Sequence, residues 1–228
     1  MATAESLRFA VPGAGEVSAL LVRPAEANWM VALAHGAGAG MRHAFMEALA
    51  EELARVGVAT LRYQFPYMEH RRRVPDAPGV STATVAAALR AARDAAPELP
   101  LLAGGKSFGG RMTSTAAAED RLEGVRGLVF FGFPLHPPKR PGTKRAEHLE
   151  KVKQPTLFLQ GTRDELADLS LLRPICAKLG ALATLHVIEG ADHSFHVLKK
   201  SGKTDAGVLE ELASTTEAWA KDTFGHPL

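Results

Sequence analysis

The chain has 228 residues, with 27 Lys and Arg against 25 Asp and Glu, a formal net charge of +2. That near balance excludes the clustered basic excess of a nucleic-acid-binding protein, and no stretch approaches the ~18 apolar residues that a membrane span needs. An apolar fraction of 46% and a charged fraction of 23% suit a water-soluble protein with one sizeable core, so a single domain over 1–228 is expected. The lone cysteine, Cys176, cannot close an internal disulfide. The opening segment MATAESLRFAVPG lacks the basic-then-apolar pattern of a secretory signal, so a cytoplasmic location is expected.

The first predicted element is a hairpin over Leu7–Arg23: LRFAV, a PGAGE turn, then VSALLV. Trp29–Ala34 (WMVALA) is a continuous apolar run, as a strand buried on both faces would be. A helix is predicted over Ala44–Val56, with Phe45, Leu49 and Leu53 inward at four-residue spacing. Val58–Tyr63 is the next strand. Ser81 is placed to cap a helix that runs to about Ala95, with Val85, Leu89 and Ala92 inward. A short strand, Leu101–Gly104, leads into GKSFGG and a helix-compatible stretch, Arg111–Ala118. Strands follow at Val125–Phe131, Thr156–Gln160 and Thr184–Ile188. Cys176 falls in a helical pattern around Leu171–Leu179, and Val208, Leu212, Ala213 and Trp219 mark a closing helix. Strands alternating with helices predict an α/β fold: a mostly parallel central sheet covered by helices on both faces, with the antiparallel hairpin at one edge. The polar, proline-rich stretch 136–153 reads as an irregular insertion.

Gly105-Lys106-Ser107-Phe108-Gly109 matches G-x-S-x-G, in which a serine sits at the apex of a sharp strand-to-helix turn and glycines leave room for crowded neighbours. A phosphate-cradling turn is the other reading of a glycine-rich loop at a helix start, but no Walker pattern is present. A serine hydroxyl needs an adjacent base, and the base needs a third group to fix its tautomer. In such a sheet the order is serine, acid, histidine. Asp164 follows the strand LFLQ and His193 follows the last strand, so both stand at strand ends, where α/β sheets place their sites. Asp168 competes with Asp164 but lies farther from a strand end. Asp192 reads as a turn residue. His193 and His196 could suggest a metal pair, but no third ligand stands at a convincing spacing.

A tetrahedral intermediate needs two N–H donors. One is expected from Phe108, the residue after the serine. The other is expected from the glycine-rich loop after Trp29–Ala34, at Ala37 with Gly38 as the alternative, and His35 would brace that loop. His35, Lys106, Arg111 and Arg72 are candidate substrate contacts; the three cations could bind an anionic group, or belong to solvated basic segments.

HGAGAG, GKSFGG, QGTRDEL and GADHSF, spread from Trp29 to Phe224, together resemble the α/β-hydrolase superfamily, and within it small dienelactone-hydrolase-like proteins. GKSFGGRM with Phe65-Pro66-Tyr67 and Pro75-Asp76 is similar to a branch of predicted hydrolases whose substrates are poorly defined and which includes a subunit of a chromatin-modifying complex. The resemblance implies Ser107, Asp164 and His193 as a catalytic triad, with Phe108 and Ala37 as oxyanion donors. Two departures stand out: dienelactone hydrolases carry cysteine at the elbow, and alanines interrupt the HGGG of lipase-type loops. The 132–155 gap is too short for a helical cap domain, so a minimal cap and an open site are expected. The expected function is a serine hydrolase acting on a small or exposed ester, with no cofactor and neither nucleic acid nor membrane as partner. A thioesterase or peptidase of the same fold, or a non-catalytic scaffold, are the alternatives. Monomer and homodimer remain open.

Overall fold

The computed structural model describes residues 3–225. Eight strands form one sheet: β1 (Glu5–Val11), β2 (Gly15–Val22), β3 (Trp29–Ala34), β4 (Val58–Tyr63), β5 (Leu101–Lys106), β6 (Val125–Phe131), β7 (Thr156–Gly161) and β8 (Ala183–Ile188). Their spatial order is β1-β2-β4-β3-β5-β6-β7-β8. β1 pairs antiparallel with β2, and β2 with β4. Every later pairing is parallel. The predicted edge hairpin and mostly parallel sheet are therefore present.

The helices are α1 (Ala44–Arg55), α2 (Pro66–Glu69), α3 (Pro78–Ala95), α4 (Phe108–Ala118), α5 (Leu169–Leu179) and α6 (Asp205–Phe224). Strand periodicity of two divides the core between the faces. Met30, Ala32 and Ala34 of β3 pack with Val85, Leu89, Met112, Ala116 and Leu172, from α3, α4 and α5. Trp29, Val31 and Leu33 pack with Met46, Leu49, Leu53, Val208 and Leu212, from α1 and α6. Double-faced burial is why these strands read as unbroken apolar runs. Phe130, Phe133 and Phe158 meet at centroid distances of 5.3, 5.8 and 5.3 Å. Truncating one such ring to alanine costs roughly 3–5 kcal/mol.

The strand order places the site. From β3 the chain crosses to β4 on one side and returns to β5 on the other, so a crevice opens where β3 and β5 lie side by side. Their carboxyl ends are in register, Ala34 opposite Gly105.

Several boundaries differ from the sequence reading. Helix α3 begins at Pro78, because proline suits the first helical turn, and Ala77 is its cap. Ser81 is therefore not a cap; it is buried inside the first turn. β5 continues to Lys106 and α4 starts at Phe108, with only Ser107 between them. The short helix α2 was not anticipated. Within the 136–153 insertion, Lys144–Lys151 forms a 3-10 helix that packs on α4 and α5. No helix among the described residues is long and apolar enough to cross a membrane.

Candidate active site

Ser107 takes φ 51° and ψ −114°. A non-glycine residue there stores roughly 1–3 kcal/mol of backbone strain, and the surrounding packing holds it in place. A Cβ on Gly105 would lie 2.6 Å from the Ala34 carbonyl oxygen, and one on Gly109 would lie 2.5 Å from the same atom. The two glycines of the pentapeptide thus let the turn close around the end of β3. The same contact sets the loop that follows Ala34 beside the serine.

His193 Nε2 lies 2.8 Å from Ser107 Oγ, and His193 Nδ1 lies 2.7 Å from Asp164 Oδ2. The Asp164 side chain is fully buried, while that of His193 is 23% exposed, so the serine–histidine end of the chain faces solvent. Asp164 also accepts from the Gln160 amide nitrogen and from the Leu166 N–H at 2.8 Å. Gln160 in turn accepts from the Phe133 N–H at 2.9 Å. These bonds fix the carboxylate's direction, and nothing in the sequence pattern pointed to Gln160. His193 rides on a tight turn: Asp192 Oδ1 accepts from the Ser194 and His196 N–H groups at 2.8 and 3.0 Å. Asp192 is the turn residue expected. Asp168 is not a competing acid; it caps α5 by accepting from the Ser170 N–H at 2.7 Å. His196 bonds Asp205 instead, at 2.8 Å.

The HGAGAG loop is held from below by residues marked in the sequence only as a motif. Phe65 donates its N–H to His35 Nε2 at 3.2 Å, and His35 Nδ1 donates to the Gly36 carbonyl at 2.7 Å. Burial lowers the His35 pKa to about 4, so the ring is neutral and able to accept as well as donate. His35 is a brace, as anticipated, and being fully buried it makes no substrate contact. Tyr67 accepts from the Gly38 N–H at 2.9 Å, and its own N–H donates to Asp76 Oδ2 at 2.8 Å. The FPY and PD segments are thereby joined to the loop. Of the two candidate donors in the loop, Gly38 gives its N–H to Tyr67, which leaves the Ala37 N–H. Among the described residues, neither Ala37 nor Phe108 spends its N–H on a backbone carbonyl; Phe108 is the first residue of α4, where N–H groups have no intrahelical partner.

A cavity of about 390 Å³ opens in front of Ser107 and His193, lined by Gly36, Ala37, Phe45, Met46, Lys106 and Leu166 among others. Phe45 was expected to face the core with Leu49. It instead lies half-buried at the cavity wall and stacks on Phe195, with centroids 5.7 Å apart and planes at 12°. Lys106 contributes to the cavity wall, and its ammonium is engaged within the protein. It donates to the His193 carbonyl and lies 5.9 Å from the Phe45 ring centroid and 5.4 Å from that of Phe195. A Cβ on Gly132 would be 3.0 Å from Lys106 Nζ, 3.5 Å from His193 Nδ1 and 3.6 Å from Asp164 Oδ2. The ammonium is therefore packed beneath the histidine–aspartate pair, and burial lowers its pKa to about 8. Arg72 pairs with Asp76 and is absent from the cavity wall. Lys106 and Arg72, both expected as candidate substrate contacts, each have a partner within the protein. Arg111 stands over the Phe108 ring at 5.9 Å.

Taken as chemistry, the arrangement presents a serine hydroxyl bonded to an imidazole and an imidazole bonded to a buried carboxylate, with the Ala37 and Phe108 N–H groups left without backbone acceptors. Such a set can carry acyl transfer without a metal or cofactor. Comparison with solved structures finds the same fold over nearly the whole chain. Dienelactone hydrolase from Anabaena variabilis matches with TM-score 0.77 and 24% identity, covering 97% of this chain and 98% of that one. A serine hydrolase without a lid from Xanthomonas campestris matches with TM-score 0.74 and 20% identity over 95% and 94%. The esterase domain of a Rhodothermus marinus protein matches with TM-score 0.68 and 16% identity over 96% and 98%. The family profile described as an alpha/beta hydrolase domain matches residues 27–221, and with that span the chain belongs to the alpha/beta hydrolase family.

Proposed function

We propose that the protein is a serine carboxylesterase acting on small or exposed esters. The observation that carries this reading is the unbroken chain Ser107–His193–Asp164, at 2.8 and 2.7 Å, opening on a cavity with apolar walls. Ser107 Oγ attacks the ester carbonyl carbon as His193 Nε2 takes the hydroxyl proton. The Ala37 and Phe108 N–H groups receive the oxyanion. Collapse breaks the C–O bond, and His193 gives its proton to the departing alkoxide. Water then attacks the acyl-enzyme, again passing a proton to His193, and Ser107 is restored. Asp164 holds the Nδ1–H tautomer and stabilises the imidazolium. Phe45, Met46 and Leu166 suit a short to medium acyl chain. Cytosolic action on a soluble small-molecule ester fits the composition.

A series of 4-nitrophenyl esters from acetate to dodecanoate, run beside a matched thioester and anilide, tests this reading. Ester turnover peaking at short to medium chains, well above anilide turnover, is expected. Faster cleavage of the thioester, after correction for its intrinsic reactivity, would move the assignment to a thioesterase. Cleavage of the anilide alone would move it to a peptidase.

A further inference from the structure

One cluster of charge lies outside the triad and is left unneutralised by the protein. Arg111 is on the first turn of α4, its N–H bonded to the Ser107 carbonyl at 3.0 Å. Side chains of a helix tilt toward its N-terminus, so the guanidinium leans back toward the elbow and reaches the Phe108 ring at 5.9 Å. The 3-10 helix of the insertion packs against this face of α4 and is pinned there by one bond, Ser114 Oγ to His148 Nε2 at 2.7 Å. Ser114 already donates to the Arg111 carbonyl at 2.8 Å, so His148 is the donor. Ser114 follows Arg111 by three residues on α4. His148 follows Arg145 by three on a helix of three residues per turn. The pin therefore lays the segment bearing Arg145 against the α4 face that bears Arg111: burial, then the Arg145 charge, lowers the Arg111 pKa, and burial, then the Arg111 charge, lowers that of His148 to about 4.

Both arginines are half-buried. Among the described residues neither forms an ion pair with a carboxylate. Two half-buried like charges brought near each other by this packing, neither paired with a carboxylate, are costly unless an anion joins them. Arg72 and Lys106 differ in this respect, since each has its partner within the protein.

We propose that Arg111 and Arg145 form an anion subsite, one helical turn from the nucleophile, that takes a carboxylate or phosphate group carried by the substrate. It rests on the esterase reading and narrows it to esters with an anionic arm. Planar guanidiniums bind such groups through paired N–H bonds. Phe108, whose ring carries the Arg111 guanidinium at 5.9 Å, follows Ser107 directly in the chain.

The test compares mono-4-nitrophenyl glutarate with 4-nitrophenyl pentanoate, acyl chains of equal length that differ in a terminal carboxylate. Both are assayed at low ionic strength with wild type, Arg145→Gln, Arg111→Gln and Arg145→Lys. The ratio of kcat/KM for glutarate over pentanoate is expected to fall tenfold or more in either glutamine variant, through KM, and to recover in part in Arg145→Lys. An unchanged ratio in both glutamine variants, with pentanoate still hydrolysed, overturns the subsite and leaves the esterase reading intact. If wild type cleaves neither ester, the esterase reading fails, and calorimetric titration of glutarate and of inorganic phosphate decides the subsite alone. Binding that is lost in Arg145→Gln supports it; no binding overturns it. Circular dichroism and melting of each variant establish that the comparison is between folded proteins.

Discussion

Replacing Lys106 with methionine removes a buried charge and keeps the length of the side chain. Burial holds the Lys106 pKa at about 8, against an ordinary lysine value of 10.5. At ~1.4 kcal/mol per pH unit, that shift corresponds to about 3 kcal/mol of native-state destabilisation whenever the group is protonated. Between pH 8 and 10.5 the unfolded chain keeps the proton and the folded chain has released it, so wild-type stability rises with pH through that window. Below pH 8 the whole penalty is present. The methionine variant escapes the penalty but deprives the His193 carbonyl of a charged donor, a loss of about 1.5–3 kcal/mol. At pH 7 the two effects nearly offset, and the stabilities should agree within about 2 kcal/mol. Their pH dependence does not offset: wild type should gain about 3 kcal/mol on the variant between pH 8 and 10.5. Urea unfolding at half-unit pH intervals measures the difference, and other titrating groups cancel between the two proteins. Parallel stability curves from pH 7 to 10.5 would refute a buried, charged Lys106. Because the ammonium also anchors the histidine turn, kcat should drop about tenfold with little change in KM.

Further outcomes follow from the loop and the elbow. Tyr67→Phe removes the acceptor of the Gly38 N–H; kcat should fall roughly three- to tenfold, equivalent to about 1 kcal/mol of one neutral hydrogen bond, and steady-state kinetics on a short ester checks it. Gly109→Ala drives a methyl into the Ala34 carbonyl, so the melting temperature should fall by several degrees and urea unfolding should show a loss of about 2 kcal/mol or more. His35 is held neutral, with its pKa lowered to about 4 from 6.5. The unfolded chain takes up that proton first, so stability present above pH 6.5 is lost as pH falls toward 4, by up to about 3 kcal/mol. Urea midpoints for wild type and His35→Gln over that range should converge as the pH drops; a constant gap would contradict a neutral His35.

The features legible in the sequence are those that local chemistry dictates. WMVALA could be read as a buried strand because both its faces are covered, Trp29, Val31 and Leu33 on one side and Met30, Ala32 and Ala34 on the other. Ser107 could be read because its neighbours must be glycine wherever the backbone meets Ala34. Asp164 and His193 could be read because strand ends collect functional loops. Much of what escaped depends on partners far apart in the chain. Gln160 orients Asp164 only once β6 and β7 are side by side. Lys106 looked like a substrate contact because it adjoins Ser107, but alternation along β5 turns it to the α1 face, toward Phe45 and Phe195. Arg72 looked like a free cation until Asp76 closed on it. Phe45 fitted the helical stripe with Leu49 and Leu53, yet it occupies the first turn of α1, where the helix emerges from the core into the cavity. Ser81 has the side chain of a cap, but proline's preference for the first turn starts the helix at Pro78 and leaves Ser81 inside it.

The central claim is that Ser107 is the attacking atom, and a fluorophosphonate probe tests it most directly. Wild-type protein should become labelled on the peptide bearing Ser107, with labelling abolished in Ser107→Ala and slowed at least a hundredfold in His193→Gln. Equal labelling of Ser107→Ala, labelling at Ser114 (which is also bonded to a histidine), or no labelling of wild type at any pH from 6 to 9 would contradict it.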